Sequence, residues 1–261
     1  MHTYWQKQSP EKPLFPDLLW SRPENKAHAG KILIIGGNSF GFSAIGEAYN
    51  LAQATGAGSV RVLLPSAIRK AVGNVLEHAD FATSNPSGGF AKDALGELLQ
   101  QAQWADAVLL PGDLGHNSET TVLIEQFLAK YNGQVTLCGD TLDLVLATPD
   151  MVLQRANTLL VVSMAQLQKL AMAARFELAF RLGMDILQLV EALHEFSSRL
   201  AAHIIVRQHD QLLVAVNGQV SSTKPAQDPS KWRVSTASQA SVWWLQNPEK
   251  PFEALTTSVI I

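Results

Sequence analysis

Residues 31–58 of the chain read KILIIGGNSFGFSAIGEAYNLAQATGAG. After its first lysine the run 31–35 is wholly apolar, and it ends in Gly36 and Gly37, so a short buried strand runs into a loop free to fold tightly. Beyond the loop, Ala44, Ile45, Ala48, Leu51, Ala52 and Thr55 fall at helical spacing, with Ser43 as the expected N-cap. A strand, a glycine loop and a helix in this order point unpaired backbone N–H groups and the positive end of a helix dipole at the top of a sheet, where an anion is stabilised. Two known loop patterns come close and neither is complete. Gly36 and Gly41, followed by Phe42 and Ser43, have the glycine spacing of a Walker A loop, but Phe42 stands where the phosphate-binding lysine is required. A dinucleotide fingerprint needs glycine at position 38, which is Asn38. From this segment alone, an anion site and a glycine turn that only lets a strand meet a helix are equal readings. Asn38 and Ser39 divide the same way, between contacting phosphate and satisfying their own turn.

With 261 residues and 47% hydrophobic content, the chain has enough core to fold unaided, as one large α/β domain or two small ones. The net charge is −3 and no run of Lys and Arg stands out. That argues against nucleic acid as a partner, because neutralising phosphates needs clustered cations. No apolar run reaches about 18 residues, and the first ten residues lack the apolar core of a signal peptide. The expectation is a soluble, cytoplasmic protein with no membrane partner. The only cysteine, Cys138, lies in an apolar run and reads as a core residue, which excludes an intrachain disulfide.

Outward from the opening unit, strand and helix patterns alternate. Residues 60–64, 107–110, 135–138 and 158–162 read as strands. Residues 67–75, 91–102, 118–130 and 142–147 read as helices, the third capped by Asn117 or Ser118. Residues 164–200 are almost continuously helical in pattern, interrupted near Gly183. Residues 204–207 and 212–216 read as strands, Asn217 and Gly218 as a hairpin turn, 221–230 as a loop, and 235–245 and 251–261 as helices. The first thirty residues are polar and proline-punctuated, with Trp5, Phe15, Leu18, Leu19 and Trp20 as exceptions. They read as an arm packed on the domain or on a neighbouring subunit, giving a 1–30 arm and a 31–261 domain. Repeated βα units in one direction imply a mostly parallel sheet with helices on both faces and an antiparallel edge. His194 and Glu195 lack the second histidine of an H-E-x-x-H pair, Ser198 standing in its place, and His203 and His209 have no partner at ligand spacing. No metal site is assigned. Trp243 and Trp244 read as packing residues.

Arg22, Lys26, Gly30 and Lys31 ahead of IIGGNSFGFSAI, then TGAGSVRVLLP, AVLLPGDLGHNSET, LCGDTLDLV and the closing EKPFEALTTSVII, occur in an order that resembles a known family. It is that of the ribokinase-like ADP/ATP-dependent NAD(P)H-hydrate dehydratases, which repair hydrated nicotinamide cofactors. The resemblance implies a ribokinase-like three-layer α/β sandwich with a mostly parallel central sheet. It implies ADP or ATP with Mg2+ as cofactor if the chain is active, a nucleotide or NAD(P)H-type ligand, and a homo-oligomer, commonly a tetramer. By position it places Ala44, Asp113, Gly115 and Ser163 at the substrate and Arg207, Ser238 and Ala240 at the nucleotide. Ser241 falls at the catalytic aspartate.

The departures from the family pattern lie at those same positions. Asp113 puts a carboxylate where G-P-G-L-G presents bare backbone, which is enough to block a negatively charged dinucleotide. Cys138-Gly139-Asp140 keeps only the second acid of D-A-D, and a helix-capping role for Asp140 is weighed ahead of holding a magnesium-bound water. Ser163 lies in VVSMAQ, where none of the polar groups of T-P-H-P-G-E survives. Arg207 keeps a cation at the lysine of V-L-K-G. The loop A-T-G-G-T-G-D-V-L is matched by residues 235–243, STASQASVW, in which every glycine has gained a side chain and Ser241 replaces the acid. A serine does not exchange protons near neutral pH as a carboxylate does. The resemblance therefore implies a diverged homologue, catalytically impaired or inactive, acting as a nucleotide-binding, regulatory or oligomer-forming subunit. The alternative is an active dehydratase or small-molecule kinase that uses non-standard residues.

Overall fold

Strand after strand in this chain is apolar on both sides of its pleat, a pattern that only a sheet covered on both faces accommodates. The computed structural model describes residues 3–73, 76, 78–225 and 232–260. In it, ten strands form one sheet: β1 (Trp5–Gln8), β2 (Lys31–Ile35), β3 (Ser59–Pro65), β4 (Ala79–Ala82), β5 (Ala107–Leu110), β6 (Gln134–Cys138), β7 (Thr158–Val162), β8 (His203–Gln208), β9 (Gln211–Val216) and β10 (Gln219–Thr223). Their spatial order is β1-β10-β9-β8-β7-β6-β5-β2-β3-β4. Strands β2 to β8 are parallel, β9 runs antiparallel between β8 and β10, and β1 pairs parallel with β10. The antiparallel edge expected from the hairpin signal is the β8–β10 meander, in which Asn217 and Gly218 turn the chain with φ of 48° and 82°.

The helices are α1 (Pro16–Trp20), α2 (Ser43–Ala54), α3 (Arg69–Val72), α4 (Leu95–Trp104), α5 (Ser118–Lys130), α6 (Thr141–Leu144), α7 (Asp150–Leu153), α8 (Met164–Ala173), α9 (Ile186–Ser197), α10 (Trp232–Gln246) and α11 (Pro251–Ser258). The pleat of β2 sends Ile32 and Ile34 to one face and Leu33 and Ile35 to the other. The first face packs on α2, α10 and α11, and the second on α4, α5, α8 and α9. Three layers result, helices over sheet over helices.

Three strands lack a periodic signal: β1 in the polar arm, β4 and β10. Strand β4 is short and lies at the outer edge, where pairing with β3 rather than its own pattern makes it a strand. Strand β10 runs into the segment expected as a loop, because its residues are Ser and Thr; Ser221, Ser222 and Thr223 are nonetheless buried. Their hydroxyls find partners inside the protein: Ser221 with Thr256 at 2.8 Å, and Thr223 accepting from the Gln8 amide at 2.8 Å. The helical pattern of 164–200 is also broken more widely than expected. Helix α8 stops at Ala173, Arg175 adopts φ of 55°, and α9 starts only after the Asp185 cap. Phe176 and Phe180, in the gap, pack with Phe196 rather than extend a helix. The C-terminal parts of the expected 67–75 helix and 221–230 loop lie outside the described residues.

The first thirty residues contribute β1 and α1 to the same body. The Trp5 indole donates to Ser222 at 3.1 Å, and Phe15 meets Phe252 edge-on. Trp20 alone keeps its area exposed, at 88%. Cys138 is buried in the core, and burial pushes its thiol up to about 12. Among the described residues, no helix is long and apolar enough to cross a membrane.

His203 opens β8 with its Nδ1 unpartnered and its ring 5.0 Å from that of Trp244. Burial holds its imidazole down at about 4, against 6.5 for an ordinary histidine. In acid the unfolded chain therefore takes up a proton that the fold refuses, and stability complete above about pH 6.5 falls as pH drops toward the folded value. Between about pH 7.5 and 5 this group removes about 2 kcal/mol of unfolding free energy. We expect His203→Phe to show a correspondingly flatter stability profile in urea denaturation at the two pH values; an unchanged slope would assign the acid sensitivity elsewhere.

Candidate functional site

Strands β2 and β5 are neighbours, yet the chain leaves them in opposite directions, toward β3 on one side and β6 on the other. Their C-terminal ends therefore part, and an open α/β sheet holds its ligands in such a crevice. A cavity of about 410 Å3 opens there, lined by Ser43, Ala44, Pro111, Gly112, Asp113, Gly139, Asp140, Trp232, Arg233 and Val234. The expected substrate-side residues Ala44 and Asp113 meet on one wall. Gly115 is next to it and lines an adjoining cavity of about 380 Å3.

Helix α2 begins at Ser43, with Phe42 at its N-cap and no side chain of its own capping it. Ser43, the expected cap, stands inside the first turn. The cap is supplied from a distance of 69 residues along the chain: Asp113 Oδ2 accepts the Ala44 N–H at 2.8 Å. Asp113 adopts φ of 58°, a conformation disfavoured for an L-residue by roughly 1 kcal/mol. The Asn38 side chain clamps that turn, donating Nδ2 to the Asp113 carbonyl at 2.7 Å while its Oδ1 accepts the Phe40 N–H at 2.7 Å. Of the two readings open for Asn38, satisfying local backbone is the one seen.

Asp140 precedes α6 but does not cap it with its side chain. Its carboxylate reaches across to the β5 loop instead, accepting Gly115 N–H at 2.9 Å and Leu114 N–H at 3.3 Å. Burial pushes the Asp140 carboxyl above its usual range, against the opposing pull of those amides. On the far wall, Arg233 donates to Gln166 Oε1 at 3.2 Å, and Gln166 Nε2 donates to the Gly139 carbonyl at 2.8 Å. Ser163 closes this chain of contacts from behind. It caps α8 in a capping box with Gln166, its Oγ accepting the Gln166 N–H at 3.2 Å, and it does not line the cavity.

The expected nucleotide-side residues are not brought together here. Arg207 lies near the end of β8, its Nε donating to the His209 carbonyl at 3.1 Å, outside the cavity lining. Residues 235–243, which match the family's anion-binding loop by position, lie within α10 in line with the helix read over 235–245, and Ser238, Ala240 and Ser241 are fully buried there. Ser238 Oγ donates to the Val234 carbonyl at 2.7 Å, and Ser241 Oγ lies 2.6 Å from the Ala237 carbonyl and 2.8 Å from Thr136 Oγ1. The end of α10 that faces the cavity carries Trp232, Arg233 and Val234, about two turns before Ser241. The sequence reading missed these three and Gln166. The helix read over 235–245 begins about a turn too late to include the first three, α10 starting at Trp232. Among the described residues, no three His, Cys, Asp or Glu gather as a metal site.

Layer order, strand order and a cavity at the switch point describe an α/β fold that is ribokinase-like. A ribokinase-like superfamily protein from Enterococcus faecalis V583 superposes over 100% of this chain and 86% of its own, with a TM-score of 0.75 at 14% identity. The ADP/ATP-dependent NAD(P)H-hydrate dehydratase from Bacillus subtilis, co-crystallized with ATP/Mg2+ and soaked with CoA, superposes over 95% of this chain and 86% of its own, with a TM-score of 0.64 at 14% identity. At such identities the likeness concerns the fold. In sequence, 125 residues, 46% of this chain, are 27% identical to the bifunctional NAD(P)H-hydrate repair enzyme Nnr of Methanocaldococcus jannaschii, and the match spans 24% of that enzyme. No family model matches the chain.

Since Ser241 is fully buried in α10, a carboxylate placed there has no solvent, and among the described residues the side chain's own partners are only Thr136 Oγ1 and the Ala237 carbonyl. We expect Ser241→Asp to destabilise the protein by several kcal/mol in chemical denaturation, a buried charge lacking a cation. An unaffected midpoint would place residue 241 at the surface of a loop after all.

Proposed function

We propose that the chain is a diverged homologue of the ADP/ATP-dependent NAD(P)H-hydrate dehydratases that has lost efficient catalysis and serves as a ligand-binding or regulatory subunit. The observation that carries this reading is the Asp113 carboxylate on the Ala44 N–H at 2.8 Å. It occupies the helix terminus where the phosphate of a nucleotide or NAD(P)H-type ligand would be stabilised. The neighbouring Gly115 and Leu114 amides are likewise answered by Asp140. A phosphate does not fit this wall as it stands. The described end of α10 adds no acid, since Trp232, Arg233 and Val234 face the cavity there. Lack of a placed general acid or base forfeits about a hundred- to ten-thousand-fold in rate.

One observation favours the alternative, an active dehydratase or small-molecule kinase with non-standard residues. Asp140 is a cavity carboxyl raised by burial, the kind of group that exchanges protons in catalysis. The two readings part on cofactor-hydrate conversion, followed by absorbance of the reduced nicotinamide, together with thermal shifts in ADP, ATP, NADH and NADPH. We expect background turnover by the wild type with either nucleotide, and a larger dinucleotide-induced shift for Asp113→Gly without gain of turnover. Robust ADP- or ATP-dependent turnover by the wild type, abolished in Asp140→Asn, would establish the alternative instead.

We further propose a cytoplasmic homo-oligomer, a tetramer, that binds no nucleic acid. Trp5 and Phe15 of the arm are accommodated within the chain, which leaves Trp20, 88% exposed, as the arm residue with area to bury. Light scattering is expected to report an oligomer that Trp20→Ser weakens; monomer alone at high concentration would refute this.

A further inference from the structure

At the other end of the sheet, below the starts of β2 and β3, a second cavity of about 480 Å3 gathers basic side chains. Lys26, Arg61 and His78 line it together with the Trp104 indole. The Arg61 guanidinium lies 4.1 Å from the indole centroid, and Lys31 Nζ approaches the same ring at 5.9 Å. These residues come from separate segments, so the cluster is made by the fold and leaves no basic run in the sequence. One carboxylate of this edge, Asp106, accepts the Lys31 backbone N–H at 2.9 Å. Among the described residues, none of Lys26, Lys31, Arg61 and His78 forms an ion pair.

Helices α2 and α4 both end at this edge, and their carbonyl ends favour a cation apiece. That accounts for single lysines but not for Lys26 and Arg61 lining one void beside His78, where each cation raises the electrostatic cost of the other. Nor does it account for the stacked pair. A guanidinium lying on an indole spends its face on the ring and keeps its in-plane N–H donors for an acceptor at its edge, and a phosphate matches that fork. The void falls within the usual size range of small-molecule sites, roughly 300–1,000 Å3, so it has room beyond a phosphate. The five residues of β2 separate it from the crevice described above by roughly 16 Å, too far for the two to share one small ligand.

We propose that this cavity is a second ligand site, which binds a phosphorylated small molecule through Arg61, Lys26 and His78 beside the Trp104 indole. The proposal is independent of what the crevice binds. It is tested by calorimetric titration of the full chain with inorganic phosphate, AMP and adenosine. We expect AMP or phosphate to bind and adenosine not to, with affinity falling at least tenfold in a Lys26→Gln/Arg61→Gln double variant and again in His78→Gln, but unchanged in Arg233→Gln. Equal affinity for phosphate and AMP would identify an inorganic anion as the ligand, and tighter AMP a nucleotide; either supports the site. Absence of phosphate and AMP binding, binding indifferent to the double variant and to His78→Gln, or loss only in Arg233→Gln would overturn it. Lys26 and His78 are exposed and Arg61 is half-exposed, so the variants should keep the wild-type melting temperature, and His78→Gln alone decides if the double variant does not.

Discussion

A Cβ on Gly36 would lie 2.5 Å from the Gly112 carbonyl oxygen and 2.5 Å from Ile45 Cδ1, and one on Gly139 would lie 2.6 Å from the Pro111 carbonyl oxygen. Neither position tolerates a side chain, because the loops leaving β2, β5 and β6 are stacked backbone against backbone at the switch point. That close approach follows from the sheet beneath it. With both faces sealed by helices, polar groups can gather only at the strand ends, and the bare backbone there must find partners in a small volume.

Two carboxylates provide them. Asp140 fills the space beside Gly112 and holds the Leu114 and Gly115 amides, while Asp113 holds the Ala44 amide in the first turn of α2. In a fold whose helix N-termini converge on one crevice, negative charge is stabilised wherever it comes from. Here the chain supplies it from its own side chains on the β2–β5 wall. The opposite wall is built differently: among the described residues Arg233 meets only the neutral oxygen of Gln166, so none of them cancels its charge there. The crevice is therefore electrically closed on one side and open on the other, a polarity that sets which end of a ligand could face which wall.

The sheet was legible because burial on both faces writes itself into continuous apolar runs: 32–35, 60–64, 107–110, 135–138 and 158–162 are all strands of it. Asn217 and Gly218 were legible because a two-residue turn demands positive φ at both positions. What could not be read depends on contacts between distant segments. Strand β10 is made of Ser and Thr because its hydroxyls meet Gln8 and Thr256, and α2 is capped by Asp113 rather than by Ser43 beside it. In the site, the carboxylate at 113 was visible in the motif itself. The start of α10 was not: the helix was read from 235, and Trp232, Arg233 and Val234 at its cavity end lie about a turn earlier.

The strength of the Asp113 contact bears on what the crevice admits. A side-chain cap on a helix stabilises by roughly 0.5–2 kcal/mol, and the left-handed backbone at 113 costs roughly 1 kcal/mol. The two nearly cancel, so the carboxylate is weakly held at Ala44 and a ligand able to use that amide could displace it. Displacement does not remove the charge, however. The Asp113 backbone is fixed by the Asn38 amide at 2.7 Å, and a carboxylate swung off Ala44 remains at the same wall beside Asp140. An anion seated on α2 would then face two carboxylates across a few ångströms in a partly desolvated crevice, where like charges repel far more strongly than in water. A neutral or cationic group would meet the reverse. Exclusion of anions at this wall thus rests on charge fixed by the backbone, and it persists whichever rotamer the Asp113 side chain adopts.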